Sequence, residues 1–476
     1  MSLFILNNSK KIINWEYTYK NLSKLQNRIV KQIEKKKYRK SRNIQRLILK
    51  KFSSHLIISQ KIIENQNIDK LYLYKLSRQN HFINILNLSN YIQFEKVFNL
   101  KFDGIYYQFL YMLWVLALLP IHETYSEPFS YNYRLYRNHT DVLKDIFITI
   151  KKPRFKWILI IKPTGFFSQR NKKWLSHNLL IEKKFFNCFL DSKRLANLSI
   201  NDYKYNQGLI DTLQISLTKI VKTFSMQGYN SFLSISLNIH KKKRLPFELY
   251  SGPIFYYNNL ILIPNTHLTN LKISYQSIFK FLKTRGLGIN KNRIWALNLN
   301  KGFNFLGFFL KKEKKEVKMQ ISYQNIRSHK LEIRQFLKSS RFLPIDKVIH
   351  RLNEKIIRWQ TYYAYTPNLY RTWSEMNYYL FWRIWRWCKR RHKNKGSKWL
   401  YQKYWSYSQK KRWIFHNNNL YLKSYELKKQ KIIQIAASIN ACKKEDLKKI
   451  QQILFYRYTH FITRYENNIN LNNNKY

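Results

Sequence analysis

The sequence predicts an α+β fold, and three patterns along the chain indicate it. Near the start, Leu22, Leu25, Ile29 and Ile33 recur at helical spacing, with lysines and arginines on the other helix faces. In the middle, two β-prone runs flank an Asn–Asn pair, which is typical of a tight hairpin because Asn tolerates the positive φ of a type I′ turn. Towards the end, residues 311–425 have helical, aromatic and basic patterns.

The composition describes a folded chain with a very large positive charge. The chain has 476 residues, with 88 Lys and Arg against 25 Asp and Glu, for a net charge of +63. Hydrophobic residues make up 45%, and only ten Gly and nine Pro are present, which argues against a disordered basic tail. Such a charge requires a polyanionic partner. Nucleic acid is the first choice, because each neutralised phosphate releases a counterion.

Cysteine spacing and hydropathy exclude two other classes. Cys188, Cys388 and Cys442 have no paired spacing, which excludes a disulfide framework and a cysteine-rich zinc site, so no metal site is predicted. The chain start has neither a signal-peptide core nor a transit-peptide pattern. Residues 106–119 are apolar apart from Gln108 but fall short of the ~20 residues that cross a bilayer. We therefore predict a buried helix there and no membrane partner.

Four regions follow from these patterns, with boundaries at residues 1–100, 101–310, 311–425 and 426–476. The second region contains the hairpin, with strands at 254–257 and 260–263 around Asn258 and Asn259. A helix with Tyr275, Ile278 and Leu282 on one face follows, and Gly286 ends it. Residues 302–308 are predicted as one further strand. The last region has a weaker helical pattern and an Asn-rich end that frays.

Residues 378–391 predict a helix with two distinct faces. Tyr378, Trp382 and Trp385 fall on one face, which we interpret as core, with base stacking as the alternative. Arg383, Arg386 and Arg390 fall together on another face, where they are suited to phosphate contacts. A second basic segment lies near the start, where residues 31–51 hold ten Lys or Arg and the single acidic residue Glu34.

An ordered series of motifs resembles the group II intron-encoded proteins, in which a reverse transcriptase is fused to a maturase domain called domain X. The maturase signature is the most specific part: Leu352–Asn353, then Arg358–Trp359 and Tyr362–Tyr363, with Arg358 where the family has Gly. Arg386–Trp387 and residues 389–392 follow in the family's order. Earlier matches lie at residues 25–29, 45–47, 120–123, 130–134 with Arg137, 207–208, 286–287 and 305–308.

This resemblance implies a fold and a domain order. The fold is that of a reverse-transcriptase-like right hand, with a helical fingers extension and an antiparallel palm sheet, followed by an α-helical thumb and domain X. Residues 1–100 are then a basic N-terminal extension and fingers, and 101–310 a degenerate fingers and palm. Residues 311–425 are thumb and domain X, and 426–476 a helical tail.

The resemblance also implies that polymerase chemistry is lost. Such an enzyme holds two Mg²⁺ ions with three carboxylates, one at the end of a palm strand and two in a Tyr-Ala-Asp-Asp hairpin. Here Lys162 follows the matching strand, and Asn258 and Asn259 occupy the hairpin positions. Asn lacks the charge that holds Mg²⁺, and Lys162 repels it. The family's optional endonuclease domain is not expected either, because the chain beyond Phe415 lacks paired cysteines.

The expected function is therefore that of a splicing cofactor and not an enzyme. The expected partner is a group II intron RNA whose catalytic fold the protein stabilises, with no small-molecule substrate and no cofactor, because the Mg²⁺ belongs to the RNA. The alternatives are a still-active reverse transcriptase and a general organellar RNA-binding protein. The candidate RNA contacts are Lys35, Lys36, Lys37, Arg39, Lys40 and Arg42 near the start, and Arg383, Arg386, Arg390, Arg391 and Lys393 in the maturase region.

The expected location is a plastid. Frequent Lys, Asn, Ile, Tyr and Phe indicate an AT-rich genome, and together with the missing transit pattern this indicates a protein made inside an organelle. Degenerate maturases of this kind resemble those of euglenoid plastids. A mitochondrion is the second choice and an AT-rich bacterium the third. The sequence does not predict the oligomeric state.

Overall fold

The computed structural model divides the chain into two compact units. Unit 1 comprises Met1–Thr149, Trp157–Ala296 and Ile433–Tyr476, and unit 2 comprises Ile150–Lys156 and Leu297–Ile432. The residues that the structure describes are 14–66, 100–127, 129–190, 217–229, 232, 255–257, 260–314, 316–408, 412–417, 420–426, 435 and 438–454. Their helices and antiparallel sheets confirm the α+β class.

Most of the residues that the structure describes in unit 1 are helical. Its described helices are α1 (Trp15–Glu34), α2 (Tyr38–Lys50), α3 (Phe52–Gln66), α4 (Leu100–Tyr125), α5 (His139–Lys151, which ends in unit 2), α6 (Gln169–Asn178), α7 (Lys183–Leu190), α8 (Leu217–Phe224) and α9 (Leu268–Thr284). Helix α1 begins where the Asn14 side chain accepts a hydrogen bond from the Tyr17 amide at 3.0 Å. The four apolar residues predicted from its spacing are buried, which confirms the amphipathic helix.

Helix α4 is at the centre of the helical core. Phe109 and residues 111–119 are buried within it, so the predicted core helix at 106–119 is confirmed over the side chains that the structure describes. Helices α1, α2 and α3 pack against it. Two buried amides add hydrogen bonds: Gln26 Nε2 donates to Leu116 O at 3.0 Å, and Gln45 Nε2 donates to Leu180 O at 2.9 Å. Among the described residues, no helix is long and apolar enough to cross a membrane.

A four-stranded antiparallel sheet completes unit 1. Its strands are β1 (Trp157–Thr164), β2 (Phe255–Tyr257), β3 (Leu260–Asn265) and β4 (Gly288–Asn298), in the order β2-β3-β1-β4. The pairing of Tyr257 with Leu260 confirms the predicted two-residue hairpin, although Asn258 and Asn259 lie outside the described residues. Ile278 and Leu282 of α9 are buried in one core cluster with β1 and β3, as the helical spacing predicts.

Helix α9 ends as the sequence predicts. Gly286 has a φ of +68°, and the Leu287 amide donates to Leu282 O at 2.9 Å. This is the glycine-terminated helix end that satisfies the last carbonyls. The conformation places the chain at the start of β4.

Unit 2 contains four helices and two small sheets among its described residues. Its elements are β5 (Phe303–Phe305), β6 (Phe308–Glu313), β7 (Glu316–Ile321), α10 (Tyr323–Ser339), α11 (Ile345–Tyr363), α12 (Leu369–Arg391), α13 (Ser397–Tyr404), β8 (Trp405–Ser408), β9 (Arg412–Asn417) and β10 (Leu420–Tyr421). The sheet orders are β5-β6-β7 and β10-β9-β8.

Two sequence expectations for this region are wrong. Residues 302–308 are not one strand: β5 and β6 meet at a turn where Leu306 and Gly307 have φ values of +51° and +81°. Both residues have positive φ, which is the type I′ requirement for a two-residue hairpin. Residues 311–425 are also not α-helical throughout, because β6 and β7 pair before the helices and β8, β9 and β10 pair after them.

Candidate nucleic-acid interface

The maturase signature forms part of an aromatic core in unit 2. Trp359 lies parallel to His329, with ring centroids 4.5 Å apart, and contacts Tyr363 and Trp373 at 4.9 and 5.6 Å. Burial lowers the pKa of His329 to about 4, so the ring is neutral near pH 7. Arg358, by contrast, is exposed. Trp359 and Tyr363 therefore act through packing, and Arg358 faces solvent.

The two signature tyrosines hold the β5–β6 turn. The Tyr362 hydroxyl donates to Leu306 O at 3.0 Å, and both rings contact Phe308. Burial raises the pKa of Tyr362 to about 12, so its hydroxyl stays a donor. The sequence identifies Tyr362 and Tyr363 only as a motif. The structure adds that both tyrosines contact the same β5–β6 turn.

Two asparagines fix the chain segment that follows β10. Asn353 Nδ2 donates to Tyr421 O at 2.9 Å, and Asn353 Oδ1 accepts from the Lys423 amide at 2.7 Å. Asn377 forms a similar pair of hydrogen bonds with Tyr425, at 2.9 and 2.8 Å. Tyr425 is consequently 1% exposed and its hydroxyl bonds to His329 Nε2 at 2.7 Å. The sequence does not predict the roles of Asn377 and Tyr425, because no local pattern indicates an amide that bonds the backbone 48 residues away.

Helix α12 has a buried face and a basic face. Its buried residues are Leu369, Trp373, Met376, Leu380, Ile384, Trp385, Trp387 and Cys388. The prediction that Tyr378, Trp382 and Trp385 all form core is wrong for two of them: Tyr378 is 68% exposed and Trp382 40% exposed, and only Trp385 is buried. Helical spacing groups residues correctly on one face but cannot say how far the packing partners of that face extend.

The predicted basic cluster of α12 divides into exposed and half-buried side chains. Arg386, Arg390 and Lys393 are exposed. Arg391 is half-buried and donates to Leu343 O at 2.7 Å, and Arg383 is half-buried with its guanidinium 5.0 Å from the Tyr379 ring. The three exposed cations are thus the members best placed for phosphates, while Arg391 holds the α10–α11 connection.

The N-terminal basic cluster surrounds the connection between α1 and α2 in unit 1. All six predicted residues are exposed: Lys35, Lys36, Lys37, Arg39, Lys40 and Arg42. The opposite face of α2 is anchored through buried Ile44 and Ile48. The six cations are therefore presented by a packed helix pair, as the apolar stripe predicts.

Sequence comparison assigns a family to the region that carries the signature. Residues 326–405 match the family described as "Group II intron, maturase-specific domain". Residues 326–405 are therefore similar to a maturase-specific domain, and they are called the maturase domain from here on. The match covers the signature, α12 and α13, and it confirms the resemblance drawn from the ordered motifs.

Two curated relatives extend the similarity beyond the maturase domain. "Maturase-like protein 1" of Euglena gracilis is 26% identical over 257 residues, which are 52% of this chain and 50% of the relative. "Ribosomal operon-associated A protein" of Euglena longa is 25% identical over 244 residues, which are 50% of this chain and 41% of the relative. The aligned stretch thus covers half or less of each of these two relatives, which come from two Euglena species.

Outside the maturase domain, the structure describes one of the three predicted palm positions, Lys162, at one end of the unit 1 sheet. Lys162 lies on β1, is exposed, and directly follows the Ile161–Ile261 pair. The neighbouring pair is Tyr257–Leu260, which brackets Asn258 and Asn259. Lys162 is therefore at the same sheet end as Tyr257 and Leu260, whereas Asn258 and Asn259 lie outside the described residues. An ammonium group there does not coordinate Mg²⁺ and repels it, so this residue does not fit the metal site of a polymerase.

A buried ion pair was recognised in the sequence only as a motif match. Arg134 Nη2 lies 2.8 Å from Glu123 Oε2, with side chains 1% and 0% exposed. Burial raises the pKa of Glu123, but the positive charges of Arg134 and Arg137 outweigh it and hold that pKa below its usual value. Arg134 and Arg137 each donate to Ile439 O at 2.8 Å. The motif thus fixes a segment of the chain about 300 residues away.

Proposed function

We propose that this chain is a splicing cofactor that binds a group II intron RNA and stabilises its catalytic fold. The observation that carries the proposal is the maturase domain at residues 326–405, with Arg386, Arg390 and Lys393 exposed on or beside α12. The name of the Euglena gracilis relative supports the same role. The net charge of +63 supports an RNA partner.

The physical basis is counter-charge. A large RNA folds against the repulsion of its own phosphates, and exposed cations on packed helices replace part of the Mg²⁺ that this requires. A protein that binds only the native RNA arrangement shifts the folding equilibrium towards it. The chemistry of splicing then belongs to the RNA and its Mg²⁺, and the protein contributes no cofactor and no small-molecule site.

The proposal includes a right-hand, reverse-transcriptase-like unit 1 that no longer polymerises. The antiparallel sheet with Lys162 at the same end as Leu260 supports it, because the resemblance matches Lys162, Asn258 and Asn259 to the family's three carboxylates. Endonuclease activity is likewise not part of the proposed function. The similarity to euglenoid proteins supports a plastid location.

Two assays test this function. In the first, a group II intron precursor from the same genome is incubated at low Mg²⁺ with and without the full chain. Splicing is expected with the protein and not without it. In the second, primer extension on an RNA template with Mg²⁺ is compared between the chain and heat-inactivated protein. Extension above the inactivated control would establish a polymerase and contradict the loss of that chemistry. Equal splicing with and without protein would contradict the cofactor role.

A further inference from the structure

The maturase domain and the hairpin that follows it expose an aromatic surface. Four rings define this surface: Tyr378 is 68% exposed, Trp382 40%, Tyr407 59% and Trp413 53%. Tyr378 and Trp382 lie on α12, and Tyr407 and Trp413 face each other across β8 and β9. Rings of this size have large apolar faces, and their exposure to water costs free energy that a bound partner would recover.

The exposed rings are held by a continuous set of aromatic contacts. Phe381, Trp385 and Tyr401 lie between the two exposed pairs. Ring centroids along the series are 5.6 Å apart for Trp382–Phe381, 6.4 Å for Phe381–Trp385, 5.0 Å for Trp385–Tyr401 and 5.4 Å for Tyr401–Trp413. Trp385 is buried, so the series is anchored in the core. Rings fixed in this way lose little conformational entropy when a partner stacks on them.

The charge around the aromatic surface indicates the kind of partner. Residues 376–425 contain thirteen Lys or Arg and no Asp or Glu. Arg386 is exposed one helical turn after Trp382, and Lys389 Nζ lies 5.5 Å from the Trp385 ring. An apolar protein partner would desolvate these cations without pairing them. Unpaired nucleotides carry both a phosphate for the cations and an unstacked base for the rings.

We propose that the aromatic surface binds unpaired RNA, with bases stacked on Trp382, Tyr407 and Trp413 and with phosphates at Arg386 and Lys389. The inference rests on the proposed function, because it specifies which part of a bound RNA contacts this surface. Duplex RNA cannot stack its bases on these rings, because paired bases are already stacked inside the helix.

The test measures affinity of the full chain for a short oligouridylate and for an RNA duplex of equal length. Trp413→Leu and Tyr407→Leu each weaken oligouridylate binding by about tenfold, because base–aromatic stacking is worth ~1–3 kcal/mol per base. Trp413→Phe retains most of the affinity, because a ring remains. The salt dependence of binding stays unchanged, because no cation is removed.

Tyr370→Leu and Phe342→Leu are matched controls. Both rings are 87% exposed in unit 2 but do not belong to the aromatic surface. They leave oligouridylate binding unchanged. All these positions are exposed, so a melting temperature close to that of the parent chain is expected and shows that each variant is folded. Cross-linking of 4-thiouridine-labelled oligouridylate to the unaltered chain places cross-links on peptides that contain Trp382, Tyr407 or Trp413.

Three results would overturn the inference: unchanged oligouridylate affinity in Trp413→Leu, equal decreases for single strand and duplex, or cross-links confined to other peptides. Self-association that Trp413→Leu abolishes while RNA affinity is unchanged would assign the surface to a second copy of the chain instead. Failure of the proposed function is distinguishable, because the unaltered chain would then bind intron RNA no more tightly than unrelated RNA of equal length.

Discussion

The hydroxyl of Tyr363 occupies space that a side chain at Gly307 would need. A Cβ added at Gly307 would lie 2.5 Å from that oxygen and 2.5 Å from Asn325 Nδ2, and the backbone φ is +81°. The neighbouring Tyr362 bonds the same turn through Leu306 O. The paired tyrosines of the signature therefore fix the β5–β6 turn against α11, and the turn requires glycine.

Gly307→Ala is expected to destabilise unit 2 by about 2–4 kcal/mol, because it combines positive φ with a clash. Chemical denaturation followed by circular dichroism measures the effect. Gly307→Ala combined with Tyr363→Phe recovers part of the stability, because the hydroxyl is gone. Gly396→Ala is the control, since a Cβ there has nothing within 4 Å. Equal stability of the Gly307 and Gly396 variants would contradict the account.

The buried pair of Glu123 and Arg134 is expected to be essential for holding the segment around Ile439. Arg134→Met leaves a buried carboxylate without its main partner and costs about 3–5 kcal/mol. It also removes one of the two hydrogen bonds to Ile439 O. In this variant, hydrogen exchange of the backbone amides of residues 438–442 should increase more than that of α4. Glu313→Gln, which removes an exposed ion pair with Lys318, is the control and leaves exchange unchanged. Equal exchange in both variants would disprove this role.

His329 is expected to make unit 2 sensitive to mild acid. Its pKa is about 4 in the folded chain, because of burial, and about 6.5 when unfolded. Between these pH values the unfolded chain binds a proton at His329 that the folded chain does not bind. The free energy of unfolding is therefore highest above pH 6.5 and decreases as the pH falls towards 4, by about 3 kcal/mol in total. His329→Phe keeps a ring beside Trp359 and removes this contribution. Urea midpoints at pH 7 and pH 5 measure it, and equal pH dependence in both proteins would refute the prediction.

The two basic clusters are expected to contribute separately to RNA affinity. Charge reversal of Arg386, Arg390 and Lys393 to Glu should weaken intron binding and lower the salt slope by about 1 for each phosphate that is no longer neutralised. Reversal of Lys36, Lys37 and Arg39 tests the N-terminal cluster in the same way. Reversal of Lys291, Arg293 and Lys301, which are exposed on β4 and in the turn after it, is the control for an equal change in net charge. If the control weakens binding as much, neither cluster is a specific RNA-binding site.

Local patterns predicted the local elements. The stripe of α1, the 258–259 hairpin and the α9 end at Gly286 each depend on residues close in sequence, so spacing and turn chemistry suffice. The sheet formed by β8, β9 and β10 was not predicted, because its short basic and aromatic strands follow a helix of the same composition.

Long-range interactions could not be predicted from the sequence. Arg134 and Ile439 are 305 residues apart, and no periodicity connects them. The exposure of Tyr378 and Trp382 likewise depends on where the neighbouring elements stop covering α12, which helical spacing does not encode. For the candidate RNA-binding residues, charge and helix face could be read from the sequence. The structure then shows that Arg386 is exposed, whereas Arg391 is half-buried and donates a hydrogen bond to Leu343 O.

The role in splicing is tested most directly by cross-linking the protein to RNA in its native compartment, recovering it and sequencing the bound RNA. For a splicing cofactor, one or a few unspliced group II introns are expected to be strongly enriched, with cross-links inside the intron. Coverage that follows RNA abundance, or a main peak on ribosomal RNA, would contradict it and identify a general RNA-binding protein that carries a maturase domain.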